Sequence, residues 1–425
     1  MKNMSIKLKS PLKKAIVLCA FMLSFLLGNI TGWFVHPVWA ADEPPEFSIF
    51  WEAWDIVLNH FVEQDKIDFR RMTYGAIQGM LDTLGDQNHT VFFDPETAKM
   101  QENALEGSFE GIGAHVAMKD NQFTIVAPIR GSPAEAAGIQ AGDVVTAVDG
   151  QPIEGLTESD IINKVRGPAG TTVVLTIFHP NADRAVDITV VRGRIELESV
   201  SWAPIPGSNF AYLQIQQFSA DTNFELMRVL REIRDDNADH QPIQGIVLDL
   251  RNNPGGYLHE AIRAGSQFLE NGSTILHERD AQGNIVTHKA QGPGLARDLP
   301  MVVLINQGSA SAAEILAGAL QENNRAQLVG ETTLGTGTVL QAFTLSDGSV
   351  IRLGVTNWLT PEFHLIKNQG IQPTIGVAQD SSVQLVDALQ LREMATQNPG
   401  TTVTSEDKQF NMAIFLLRLA LLTEK

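Results

Sequence analysis

Ser311 lies in Gln307-Gly308-Ser309-Ala310-Ser311-Ala312-Ala313-Glu314, between the apolar run 301–305 and an alanine-rich stretch reaching Leu320. A serine at a strand-to-helix junction presents its hydroxyl at the top of a sheet. The first N–H groups of the helix, Ala312 foremost, can then stabilise an oxyanion, the chemistry of acyl transfer. The same residues also spell a capping box, Ser311 with Glu314, the ordinary way for a helix to satisfy its first donors. A second candidate is Asp249-Leu250-Arg251-Asn252-Asn253-Pro254-Gly255-Gly256, where an apolar run empties into a loop whose glycines expose backbone donors. Such loops build sites at the carboxyl ends of strands, although Asn, Pro and Gly equally suit a plain turn. A third is Glu110-Gly111-Ile112-Gly113-Ala114, in which bare N–H groups can converge on a carboxylate while the following strand edge pairs with an extended peptide.

The elements that must hold these residues follow from the apolar periodicity. Residues 47–80 repeat apolar positions at helical spacing (Phe50, Trp54, Val57, Leu58, Phe61), which predicts two or more helices. From 107 to 191 short β-branched runs cut by glycines predict a small β-rich domain, with Asp149-Gly150 as a tight turn and one helix near 159–165. From Phe210 on, apolar runs alternate with helical stretches, as α/β layering requires. The runs 245–250 and 301–305 read as strands buried on both faces. Asp347-Gly348 marks a hairpin, and the chain closes in helices, the last over about 406–422.

Composition narrows the function classes. The 425 residues carry a formal charge of −18 and show no basic stripe, so nucleic acid is not expected as a partner. The single cysteine, Cys19, lies in an uncharged run over 15–35 that follows Lys13 and Lys14. The body therefore has no disulfide, thiol nucleophile or cysteine metal site. That run predicts export: residues 1–41 form either a cleaved signal peptide ending at Val38-Trp39-Ala40 or a membrane anchor. The body is then extracytoplasmic, tethered to the membrane or released. No motif calls for a metal, nucleotide or organic cofactor, since His-Glu-x-x-His and a phosphate-binding lysine loop are both absent.

Gly111-Ile112-Gly113-Ala114, followed by Gly131-Ser132-Pro133-Ala134, Ala137-Gly138-Ile139 and Gly142-Asp143, resembles a PDZ domain. Over roughly 84–376 the order of that module, the Asp249–Gly256 loop, the Ser311 segment and Val329-Gly330-Glu331-Thr332 resembles the C-terminal processing peptidases, a family of serine endopeptidases. The resemblance implies a multidomain α/β fold: a helical region over 42–105, a PDZ-like domain over 106–194, an α/β peptidase core over 195–378 and a helical region over 379–425. It implies Ser311 as nucleophile, an oxyanion hole from the N–H of Ala312 and of Gly255 or Gly256, and Glu314 beside the nucleophile. Arg166 falls where a family arginine can couple the PDZ-like module to the core. The partners implied are polypeptides, bound and cut near their C-termini, and apolar helices at both ends of the mature chain would suit a homodimer.

The base is where this chain departs from that pattern. Those enzymes use a lysine in a Gly-Lys-Gly segment, often with a glutamine four residues on. Here the segment is Gly335-Thr336-Gly337, the supporting position is Leu340, and Gln341 comes one step late. Threonine accepts no proton usefully near neutral pH. Three readings follow. Another base has taken over, with His364, Glu362 and Lys367 as the nearby candidates. Or the chain is a weak or inactive homologue that binds polypeptides as a scaffold, or else a purely structural assembly unit.

Overall fold

A computed structural model describes residues 44–423, apart from 87–88, 120–121, 130, 181, 183, 236–241, 381, 398–402 and 404. The expected export segment lies outside the described residues, and no described helix is long and apolar enough to cross a membrane. The chain forms two units, divided after Thr73. The first holds the expected helix Phe47–His60, whose Trp54 stacks on Phe69 with ring centroids 6.3 Å apart.

The second unit contains the core. Its six-stranded sheet runs Val200–Pro204, Phe210–Ile215, Gly245–Asp249, Met301–Ile305, Gln327–Gly330 and Ile375–Gly376, parallel except for the first strand. Alternate residues serve opposite faces. Leu248, Val303, Ile305 and Leu328 pack against Ile315, Leu316 and Leu320 of the helix Ala312–Glu322. Val247, Leu304 and Val329 pack against Phe410, Ala413 and Leu417 of the helix Lys408–Thr423. Helices cover both faces, which is why the strand runs are continuously apolar.

The β-rich domain is an antiparallel sheet of Ala114–Lys119, Gln122–Pro128, Val144–Val148, Thr172–Phe178 and Val186–Val191, with Gln151–Pro152 at its side. The helix Glu158–Val165 opens on a Thr157–Asp160 capping box and buries Ile161 against this sheet. Ser108–Gly111 and Gly193–Glu196 pair antiparallel, so the strands entering and leaving the module lie side by side.

A further antiparallel sheet joins Val91–Phe93, Val350–Leu359, Thr274–Arg279 and Ile285–Lys289, with Thr338–Thr344 on Val350–Leu359. The Asp347-Gly348 hairpin is where it was expected. The other strands of this sheet have no counterpart in the sequence expectations: Val91–Phe93 is only three residues long, and Thr274–Arg279 and Ile285–Lys289 are half polar.

Candidate active site

Ser311 is the residue before the helix Ala312–Glu322, with φ 57° and ψ −119°. An L-residue held there is strained, and such strain recurs where a nucleophile is pushed out of a strand-to-helix turn. The surrounding loop supplies the restraint. Ser309, fully buried, donates its hydroxyl to Leu250 O (2.8 Å) and accepts from Asn306 N–H (3.0 Å). Asn306 and Asn252 then join the loops of neighbouring strands: Asn252 N–H donates to Asn306 Oδ1 and Asn306 Nδ2 to Asn252 Oδ1, both at 2.9 Å.

This zipper lays the Asp249–Gly256 loop against the nucleophile. A methyl on Gly255 would stand 2.5 Å from Ser311 Cβ and 2.9 Å from Ala312 N, so only glycine admits the approach. Gly256, at φ 140°, is equally obligatory, since a side chain there would run into Phe218 O. Of the two glycines considered for an oxyanion hole, Gly255 has its N–H occupied by Asn253 Oδ1 at 2.8 Å. The N–H groups of Gly256 and Ala312 donate to no acceptor among the described residues. Two free donors beside a serine are what a developing oxyanion needs.

Glu314 does more than cap. Its carboxylate is fully buried and accepts from Ser311 N–H (2.8 Å), Thr333 Oγ1 (2.6 Å), Gly335 N–H (2.6 Å) and Thr336 N–H (3.0 Å). It thus gathers the 333–336 loop onto the first turn of the Ser311 helix. Thr336, 6% exposed, turns its Oγ1 to Ser311 N–H at 3.1 Å. Leu340 is half-buried and Gln341 exposed, and the register slips between Val339 and Leu340 where the strand meets Val350–Leu359.

In the β-rich domain the N–H groups of Ile112 and Gly113 likewise have no acceptor among the described residues. They stand at one end of an apolar pocket of about 100 Å³ lined by Ile112, Ala114, Val116, Ile125, Ile162 and Leu175, among others. Phe109 and Arg166 also line it, with the Arg166 guanidinium 5.3 Å from the centre of the Phe109 ring. Donors, an apolar pocket and a cation suit the last residue of a polypeptide.

The model of peptidase family S41 matches residues 209–377, which contain Ser311, Gly255, Gly256, Glu314 and Thr336, and the PDZ domain model matches 124–177. A carboxy-terminal processing protease of Bacillus subtilis is 36% identical over 350 residues, covering 80% of this chain and 70% of its own. The carboxyl-terminal-processing protease of Synechocystis is 39% identical over 316 residues, 73% and 72% of the two chains. The chain belongs to peptidase family S41. A solved structure from Bacteroides fragilis, itself assigned to the S41 proteases, shares the fold at a TM-score of 0.52 and 18% identity, over 81% of this chain and 89% of that one.

The S41 lysine position being Thr336, the placement of the other titratable groups decides what could serve. His364 is not brought to Ser311. Its Nδ1 bonds Glu322 Oε1 at 2.8 Å, and Glu322 ends the helix that Ser311 begins, about 16 Å away at 1.5 Å per residue. The Glu322 hydrogen bond, then its charge, raises the His364 pKa. Glu362 sits at that same distant end, donating its N–H to Glu322 Oε2 at 2.7 Å. Donor atoms of Glu322, Glu362 and His364 lie within 4.8 Å of one another, but Glu322 already spends both oxygens on its two neighbours. Nothing more marks the cluster as a cation site.

Lys367 is close. It packs on Gly337, where a methyl would collide with its backbone, and its Nζ lies 2.7 Å from Asp86 Oδ1. Asp86 Oδ2 accepts from Thr90 Oγ1 (2.8 Å), which in turn accepts from Gly354 N–H (3.2 Å), and His89 Nδ1 stands 3.4 Å from Asp86 Oδ1. Burial pushes the Asp86 carboxyl up, but hydrogen bonds from Lys367 and Thr90 and the charges of Lys367 and His89 leave it below its ordinary value. No motif drew attention to Asp86 or His89. The one signal was their spacing of three residues just after the N-terminal helices.

Proposed function

We propose that this S41 peptidase is a serine endopeptidase that captures polypeptides by their C-termini in the PDZ groove and cuts them at Ser311, outside the cytoplasm. The observation that carries the reading is the strained Ser311 beside the two unpaired donors of Ala312 and Gly256. Ser311 Oγ would attack the scissile carbonyl carbon, and the negative charge forming on its oxygen would meet those N–H groups. Names of the relatives support C-terminal processing as the activity. The uncharged run over 15–35 supports export, as an anchor or as a cleaved signal.

Purified full chain and Ser311→Ala, incubated with an unfolded polypeptide bearing a free or an amidated C-terminus, test this by mass spectrometry. Cleavage of the free-acid form by the parent and none by Ser311→Ala is the expected result. A second reading is favoured by Thr336, whose hydroxyl cannot act as the family lysine does: a scaffold that binds C-termini without cutting. No cleavage by either protein, with free-acid peptides still bound, would establish that reading instead.

A further inference from the structure

The S41 core here holds a nucleophile and donors for its oxyanion but no lysine at the family position. A proton must still leave Ser311 Oγ. The contacts lead from the nucleophile to one cluster of titratable groups. Ser311 N–H touches Thr336 Oγ1, Gly337 follows and packs on Lys367, and Lys367 reaches Asp86. From the other side, the place a side chain on Gly354 would fill is 3.1 Å from Asp86 Oδ2 and 3.6 Å from Thr338 Cβ, two residues beyond Thr336. Asp86 and Lys367 therefore lie beside Gly337 and Thr338, just past the vacated lysine position, and His89 and Thr90 gather on Asp86.

Of the side chains in this cluster, the His89 imidazole is the type suited to taking and returning a proton. Lys367 is paired with Asp86 at 2.7 Å. The His89 ring faces Asp86 through Nδ1, which leaves Nε2 as the nitrogen available to a hydroxyl. At 3.4 Å the pair is an approach rather than a formed hydrogen bond, and a small ring movement would bring Nδ1–H onto the carboxylate, the pairing that orients an imidazole in serine hydrolases. Both side chains are largely shielded, with 15% of His89 and 13% of Asp86 exposed. Lys367, in turn, keeps Asp86 ionised.

We propose that His89, positioned by Asp86, is the general base for Ser311 and replaces the lysine lost at Thr336. His89 Nε2 takes the Ser311 proton as the Oγ–C bond forms and the carbonyl π pair moves onto oxygen. The tetrahedral adduct then expels the amine, which takes the proton from the imidazolium. Water then attacks the acyl-Ser311 ester, giving its proton to His89, and the second adduct expels Ser311 Oγ, which takes that proton back as the new carboxyl terminus is released.

This inference rests on Ser311 being the nucleophile, and the test separates the two. The full chain is assayed with an unfolded polypeptide, and Ser311 is titrated in parallel with a fluorophosphonate. His89→Ala is expected to lower kcat about 10²–10⁴-fold with KM little changed, and added imidazole to restore part of the loss. Lys367→Arg keeps the ion pair but cannot give up its proton, so activity within about a factor of ten of the parent is expected. If His89→Ala melts early, His89→Gln serves, since the amide is polar and similar in size but no base. Ser311-dependent cleavage that survives loss of the imidazole would overturn the assignment, as would a dead Lys367→Arg beside an active His89→Ala, which would make Lys367 the base. If the parent shows no Ser311-dependent cleavage or labelling at all, the nucleophile reading fails and this inference falls with it.

Discussion

Glu314 and Thr336 both touch Ser311 N–H, yet their worth differs in kind. Glu314 accepts from four donors in a fully buried place, so its loss strands several N–H and O–H groups at about 1–3 kcal/mol each. Thr336 Oγ1 shares a single donor that Glu314 Oε2 already holds at 2.8 Å. Glu314→Ala is therefore expected to cost more than about 3 kcal/mol in urea unfolding and to slow fluorophosphonate labelling of Ser311. Thr336→Val, which keeps the shape and removes only the hydroxyl, should cost under about 1.5 kcal/mol and leave labelling close to the parent. A Thr336→Val protein as damaged as Glu314→Ala would mean that the threonine hydroxyl, not the carboxylate, orders the nucleophile.

Among the elements, those legible in the sequence are the ones whose pattern is set locally. Met301–Ile305 reads as a doubly buried strand because all five residues are apolar, and Ser311 follows across the short loop 306–310. The Asp347-Gly348 and Asp149-Gly150 turns announce themselves by residues that tolerate positive φ. Thr274–Arg279 and Ile285–Lys289 do not, since both mix polar and apolar residues with no run to notice, although the first buries Ile275, Leu276 and His277. The PDZ loop was legible through its glycines, and Gly113 shows why they are required. At φ 76°, a methyl there would stand 2.6 Å from Ser132 Cβ and 2.8 Å from Ile195 Cδ1. Gly113→Ala should thus distort the donor loop and weaken binding of a free-acid peptide at least about tenfold, the equivalent of about 1–2 kcal/mol of backbone strain, by fluorescence anisotropy. Ser311 labelling by a small fluorophosphonate should be unchanged, because that reagent does not use the groove. Loss of both together would mean that the loop supports the peptidase core as well as the peptide.

Across the whole molecule, what the sequence hides are contacts between distant segments, and one buried cluster of them reaches the site. Arg251, in the loop that delivers Gly256, is buried with Asp249 at 2.6 Å and with Asp407 at 2.8 Å, across 156 residues of chain. Tyr212 donates its hydroxyl to Asp249 Oδ2 at 2.8 Å, and Asp407 also accepts the N–H groups of Phe410 and Val386. Burial alone would lower the Arg251 pKa, but the two carboxylates hold it above its ordinary value, while burial and then Asp249 push the Tyr212 hydroxyl up. One buried cation between two anions ties the start of the C-terminal helix to the floor of the oxyanion loop. Removing the cation leaves two carboxylates facing each other without water, whereas neutralising Asp407 leaves one well-paired couple. Arg251→Met should accordingly cost about 3–5 kcal/mol in urea unfolding, and Asp407→Asn, which keeps the shape and half the hydrogen bonds, distinctly less. The reverse order would show that the tie works through the packing of the C-terminal helix rather than through the charge beneath Gly256.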